Sequence, residues 1–274
     1  MTSNHAGVEP SGARLMIRSP FFTLVDREIA RFMKVAIQTV VSPVLTSFLY
    51  LMVFGLSLGN YITLVGHSTY LAFLVPGLVM MATLNNAFQN SSSSIVTAKF
   101  SGDLEDLKVA PISYMELIWA LGVGGLFRGF LVGFVTYLVG TIFHYFSYGT
   151  FLVPVHPFLL LLFLALGGLS FTFVGVFAAF WAKSFDHMAA VTNFLLTPLI
   201  YLGGVFFSLE NLHPFWRSVA MLNPLFYFIN GVRYGMLGVA DVPPGKSLLI
   251  SVVAVIVCYG IGLRALKKAK FLRW

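Results

Sequence analysis

Runs of about twenty consecutive apolar residues recur along this chain, and they constrain its fold more than any other feature. A hydrocarbon layer about 30 Å thick takes roughly twenty helical residues to cross, at about 1.5 Å each. Inside that layer every backbone N–H and C=O must be paired within the protein, which leaves helices or closed barrels. Barrel strands alternate apolar and polar residues in segments of about ten. These runs are continuous, so the pattern specifies an all-α polytopic membrane protein. Charged residues make up 10% of the 274 positions, against roughly 25% in a soluble domain.

Six transmembrane helices are predicted: Ile37 to Leu58, Thr69 to about Ser94, Met115 to Phe143, Phe158 to Trp181, Met188 to Phe206 and Ser247 to Ala265. Residues 1–20 read as a polar cytoplasmic tail and 266–274 as a basic one, bracketing a membrane domain over 36–265. Residues 21–35 form an amphipathic helix in the headgroup plane, with Phe22, Val25, Ile29 and Phe32 toward acyl chains and Arg27, Arg31 and Lys34 toward phosphates. Thirteen basic residues flank one side of the predicted spans, while Arg217, Arg233 and Lys246 lie on the other. That asymmetry predicts both termini in the cytoplasm. It also accounts for the net charge of +7 without nucleic acid. Between spans five and six, Pro214 opens one short helix and Asn223 with Pro224 opens another. Both are expected to dip into the outer leaflet or cap the bundle there, with Gly203 and Gly204 turning the chain.

The densest charged interruption is Thr97 to Ile112, TAKFSGDLEDLKVAPI, where Lys99, Asp103, Glu105, Asp106 and Lys108 fall within ten residues. A charge costs at least about 2.5 kcal/mol at the centre of a span, so this segment lies in water. Leu104, Leu107 and Val109 among acids suggest a short amphipathic helix, at about 101–110, offered to a soluble partner.

Other motifs carry competing readings. Ala240 to Ser247, ADVPPGKS, fits a loose phosphate-loop pattern, but Pro243 and Pro244 remove backbone donors and no strand precedes it. Arg128 lies within span three beside the strip Gly125, Gly129, Gly133, whose small residues admit a close helix. It either faces the bundle interior or a wet cavity, or snorkels to the cytoplasmic headgroups. The tract from Asn85 to Ser94, NNAFQNSSSS, puts Asn85, Gln89 and Ser92 on one strip and Asn86, Asn90 and Ser93 on the next. It either lines a cytoplasmic vestibule or marks a helix emerging into water. The six histidines show no metal-ligand spacing, no nucleophile has an adjacent base, and Cys258 stands alone in an apolar run as a small buried residue. No catalysis, cofactor or metal is expected in this chain. The turn Trp181 to His187, WAKSFDH, is a polar connection that could form a smaller second contact.

FLVPGLVMM (73–81), AKFSGDLEDLKVAPI (98–112), GGLFRG (124–129), TPLIYLGGVFFSLENLHPFW (197–216) and LNPLFYFINGVRYGMLG (222–238) together resemble ABC-2-type transporter permeases, above all the bacterial YadH-like branch. The resemblance implies a six-helix half that forms a homodimer in the bacterial inner membrane. It pairs with two copies of a separate ATPase subunit, which holds the ATP and Mg. It further implies that Gly102, Asp103, Leu104, Glu105, Asp106 and Leu107 form the coupling helix received by that ATPase, that residues 21–35 form the connecting helix, and that helices two and five line the route. Asn85, Asn86, Gln89, Asn90 and Arg128 are then the polar residues of pathway or interior. His187 departs from the acid expected in that turn. The cargo implied is amphipathic or lipid-like, with a lipid-linked polysaccharide as the alternative. A passive channel or secondary transporter would want intramembrane acids or internal repeats, and a lipid-processing enzyme would want clustered acids or histidines; neither pattern is present.

Overall fold

A computed structural model describes residues 19–57, 69–102 and 112–268. Among the described residues the chain is helical with no strand. Helix α1 is Pro20–Met33, and α2 is Ala36–Tyr50, continued by a π-helical turn over Leu51–Ser57. The long helices α3 (Tyr70–Ser101), α4 (Tyr114–Tyr148) and α5 (Pro157–Trp181) follow. Next comes a composite run of α6 (Phe185–Ala190), a π segment (Val191–Leu196) and α7 (Thr197–Leu202). Short helices α8 (Pro214–Leu222) and α9 (Pro224–Leu237) precede α10 (Pro244–Lys268).

Five of these elements are long and apolar enough to cross a membrane: Ala36–Ser57, α3, α4, α5 and α10. The predicted fifth span, Met188 to Phe206, is the one that differs. Its helical run ends at Leu202, and Gly204 takes a left-handed φ of 87° to turn the chain back. Within the run, Asn193 and Thr197 dilute the apolar pattern and the π segment widens the helix. The remaining boundaries follow local chemistry. Ser113 and Glu116 form a reciprocal capping box that starts α4. Asn223 accepts from Leu225 N at 3.1 Å and Pro224 fills the first position of α9, as predicted. Gly102 ends α3 in the left-handed region, φ 87°, which a residue with a Cβ rarely adopts.

Helix α3 is the axis. Its most apolar stretch is 94% buried, against 11% for α10. It packs chiefly on α4 and α5, with α9 on a third side; α10 lies outside α5, and α1 and α2 lie outside α4. Glycines make the α3–α4 contact close, as the small-residue strip predicts: a Cβ on Gly129 would sit 3.0 Å from the Thr83 carbonyl oxygen.

Helix α1 packs on the bundle through Leu24, Glu28 and Phe32; of the residues expected toward acyl chains, Phe32 is buried in the protein and Phe22 is 61% exposed. An acid sits in the buried stripe, and the reason is a set of partners across the interface. Ser94 Oγ donates to Glu28 Oε1 at 2.7 Å, and Arg31 Nη2 meets Oε2 at 3.1 Å.

Candidate functional site

A cavity of about 790 Å³ opens between α2 and the α6–π–α7 run, with α3 as its back wall and Arg31, Phe32 and Arg128 at its edges. Along α3 the lining runs from Met81 to Thr97, about 24 Å of helix. The wall from α2 is polar because Gln38, Ser42 and Thr46 recur every fourth residue, beside Thr39 and Ser47 on the neighbouring strip. That stripe is a functional feature the sequence analysis passed over; its signal was the same four-residue spacing inside an otherwise apolar span. Thr192 and Thr197 face it from the composite run, where Thr192 and Thr197 also bond to the helix's own carbonyls.

Asn85, Asn86 and Gln89 line the cavity. Asn86 anchors its amide on Ala82 O at 3.0 Å, which aims its carbonyl oxygen outward. That oxygen accepts from Arg128 Nε at 3.3 Å, and Gln89 Oε1 accepts from Arg128 Nη2 at 3.4 Å. Arg128 therefore points across to α3 at the edge of the cavity. Asn90 is brought elsewhere. It is fully buried, turned toward α1, and its backbone oxygen accepts from Arg31 Nη2 at 2.7 Å.

One end of the cavity stops at aromatic rings. Tyr50, one turn past Ser47 on α2, meets Tyr201, one turn past Thr197 on α7, with their hydroxyls 2.6 Å apart. Phe206 packs against Tyr50, Phe54 and Tyr201 with centroids 5.1 to 5.4 Å apart, and Tyr70 OH donates to its carbonyl oxygen. Behind these rings Arg233 stacks over Phe73 at 3.8 Å, donates to Gly204 O at 2.7 Å and meets Asp241 Oδ2 at 3.5 Å. Ser208 and Leu209 N also donate to Asp241. Asn230 ties α9 to the chain entering α10 through Asp241 N, Val242 O and Ser247 Oγ. Ser247, the last residue of the phosphate-loop-like motif, thus serves the packing of α9 on α10.

At the opposite end, α3 leaves the cavity at Thr97 and stops at Gly102. Lys99 Nζ donates to Ala182 O at 2.8 Å, and Phe100 stacks on Phe185 at 5.0 Å, so the Trp181–His187 turn is clamped to this end. Of the charged segment, Gly102 is described; Asp103, Leu104, Glu105, Asp106 and Leu107 lie outside the described residues. Among the described residues no cluster of His, Cys, Asp and Glu could hold a metal. Cys258, expected buried, is partly exposed and borders a second, apolar crevice of about 370 Å³ near α5, α7 and α9.

A buried central helix, glycine-mediated packing and a polar cavity walled by span helices describe a membrane transport protein. Residues 19–237 match the model of the family described as ABC-2 type transporter, and the chain belongs to that family. It is 39% identical over 248 residues to the inner membrane transport permease YadH of Escherichia coli (strain K12), covering 90% of this chain and 94% of that protein. It is 26% identical to nodulation protein J of Neorhizobium galegae, covering 77% of this chain and 79% of that one. With nodulation protein J of Rhizobium meliloti (strain 1021) the identity is 24%, over 86% of each.

Proposed function

We propose that this chain is the membrane subunit of an ATP-driven exporter in the bacterial inner membrane, where two copies act with two copies of a separate ATPase that holds the ATP and Mg. The observation that carries the reading is the course of α3: one helix walls the cavity from Met81 to Thr97 and ends at Gly102, where the charged segment begins. Buried on three sides, it moves as a rod and cannot absorb displacement by bending into lipid. In this proposal the segment Gly102, Asp103, Leu104, Glu105, Asp106 and Leu107 sits against the ATPase in the cytoplasm, with both chain termini on that side. Nucleotide closes the ATPase pair, the segment moves, and α3 changes access to the cavity. Lys99 and Phe100 carry the same motion to the composite run, which serves as the sixth crossing, while α8 and α9 cap the external end. A ligand shifts a conformational equilibrium only through differential affinity, so the ATPase contact with this segment must differ between nucleotide states.

The cavity walls mix hydroxyls and amides with Phe32, Met81, Phe88 and Met188, which suits an amphipathic or lipid-like cargo. Copurification with a soluble ATPase tests the partnership. Glu105→Lys combined with Asp106→Lys is expected to abolish transport-coupled ATP hydrolysis with membrane insertion intact. Unchanged stimulation of the ATPase by that double variant would remove the reading.

A further inference from the structure

Among the described residues, three guanidiniums reach across to another element, those of Arg31, Arg128 and Arg233, and two of them come with a carboxylate. Arg31 meets Glu28 at 3.1 Å, and Arg233 meets Asp241 at 3.5 Å. Among the described residues Arg128 has neither an acid nor a short hydrogen bond. Its described partners are the neutral oxygens of Asn86 and Gln89, at 3.3 and 3.4 Å. Its Nη1 makes no hydrogen bond to a described residue and keeps accessible surface, so it is open to the cavity that Arg128 lines. Among the described residues no Asp or Glu lines that cavity, and Arg31, which also lines it, shares Glu28 with Arg27. Where the fold needs a guanidinium for structure it supplies the counter-charge; here it supplies two amides that orient the cation and leave it unpaired.

We propose that the missing partner is the cargo's own charge: the cavity receives a phosphate-type headgroup of a lipid-like amphiphile, with Arg128 as its receptor. A guanidinium presents paired N–H groups in a plane that matches two oxygens of a phosphate, which an ammonium cannot do. Asn86 and Gln89 occupy Nε and one face of Nη2, and the free Nη1 edge is left for the anion. The Ser42 hydroxyl stands on the facing wall for a remaining oxygen, and Phe88 and Met188 offer apolar contact for the first methylenes. A lipid source is favoured over a free anion because polar and apolar side chains share the same walls. The assignment rests on the transport reading of this cavity, yet its test requires no ATPase.

The experiment uses the full chain in phosphatidylcholine nanodiscs and follows its melting temperature against dihexanoyl phosphatidic acid, dihexanoyl phosphatidylcholine and inorganic phosphate. Phosphatidic acid should give a saturable rise and phosphatidylcholine none. Arg128→Gln should raise the half-saturating concentration at least about tenfold, the loss expected for a hydrogen bond to a charged group. Gln89→Glu should do the same from the other side, since it places a carboxylate on the guanidinium and satisfies it internally with the fold kept. Arg128→Lys should fall between, retaining charge without the fork. Lys267→Gln with Lys268→Gln should leave the titration unchanged. Equal half-saturation in wild type, Arg128→Gln and Gln89→Glu would overturn the proposal. Saturation by inorganic phosphate over the same concentrations would overturn its lipid source. If ATPase recruitment survives while Arg128-dependent binding is absent, this assignment alone falls; the reverse result removes the transport reading instead.

Discussion

Replacing Glu28 by Ala tests whether α1 is locked to the bundle by charge or by apolar contact alone. The carboxylate is 1% exposed, accepts from Ser94 Oγ at 2.7 Å and lies 3.1 Å from Arg31 and 3.5 Å from Arg27. Removing one partner of a fully buried pair costs roughly 3–5 kcal/mol. Arg31 and Arg27 keep 31% and 48% of their side-chain exposure, so water recovers much of that, leaving roughly 1.5 kcal/mol. The lost bond from Ser94 to a charged acceptor adds about 1.5 kcal/mol. The space left beside Gly124 by the lost Glu28 Cγ, which lies 3.5 Å from where a Cβ on that glycine would sit, adds about 1 kcal/mol. Together these give about 4 kcal/mol, or roughly a thousandfold in the docking equilibrium of α1. Glu28→Gln keeps the shape and the Ser94 bond and should lose about half of that. Spin labels at Thr23→Cys on α1 and Val123→Cys on α4, in a Cys258→Ser background, report the distance directly. Wild type should give one narrow distance distribution and Glu28→Ala a broad one. A narrow distribution in Glu28→Ala, at the wild-type distance, would refute the reasoning.

Further outcomes follow from the same geometry. Gly129→Val should destabilise the bundle by about 2–3 kcal/mol through overpacking against the Thr83 backbone, whereas Gly260→Ala, with nothing within 4 Å, should be neutral or stabilise by up to about 1 kcal/mol; unfolding in a graded detergent mixture reads both. Asp241→Ala strips partners from Arg233, Ser208 and Leu209 N and should cost roughly 3 kcal/mol, seen as faster proteolysis between Gly203 and His213. Tyr201→Phe removes the 2.6 Å hydroxyl contact to Tyr50, worth about 1 kcal/mol, and should raise resting leakage of small solutes from proteoliposomes about fivefold.

The helices were legible in the sequence because hydrocarbon enforces their length and continuity. Spans one, four and six lie close to their predicted places, the helices of spans two and three run on past their predicted ends to Ser101 and Tyr148, and Asn223–Pro224 marked the start of α9 to the residue. The composite run was harder: Met188 to Phe206 has the length of a span, but Asn193, Thr197 and Pro198 cost it regularity, and hydropathy averages over such breaks. The tract at Asn85–Ser94 announced polar chemistry on α3, and members of both its strips, Asn85, Asn86, Gln89, Ser92 and Ser93, line the cavity, while Asn90 turns to Arg31 on α1. Glu28 and the α2 stripe escaped for a shared reason. Each is a polar residue on an expected apolar surface, and only the partner across the interface, Ser94 in one case and the cavity in the other, tells which side is buried.

Hydropathy does not set burial among these helices. α10, with a mean hydropathy of 2.2, has an apolar stretch only 11% buried, and α5 combines the highest value, 2.4, with 61%; α3 has the lowest, 1.6, and is 94% buried. Lipid solvates an apolar surface as well as a protein core does, so nothing drives the most hydrophobic helix inward. Amides and hydroxyls are driven inward, because lipid leaves them unbonded. The helix selected for the centre is therefore the one rich in polar side chains, and those side chains also build the cavity wall. The two walls facing it are the elements that contain π-helical turns, Leu51–Ser57 after α2 and Val191–Leu196 between α6 and α7. A π turn has a looser hydrogen-bond ladder than the α-helix around it. In the coupling proposed above, a stiff central rod between two compliant walls would yield at the walls when its Gly102 end is pushed, and the cavity between them is what would change shape.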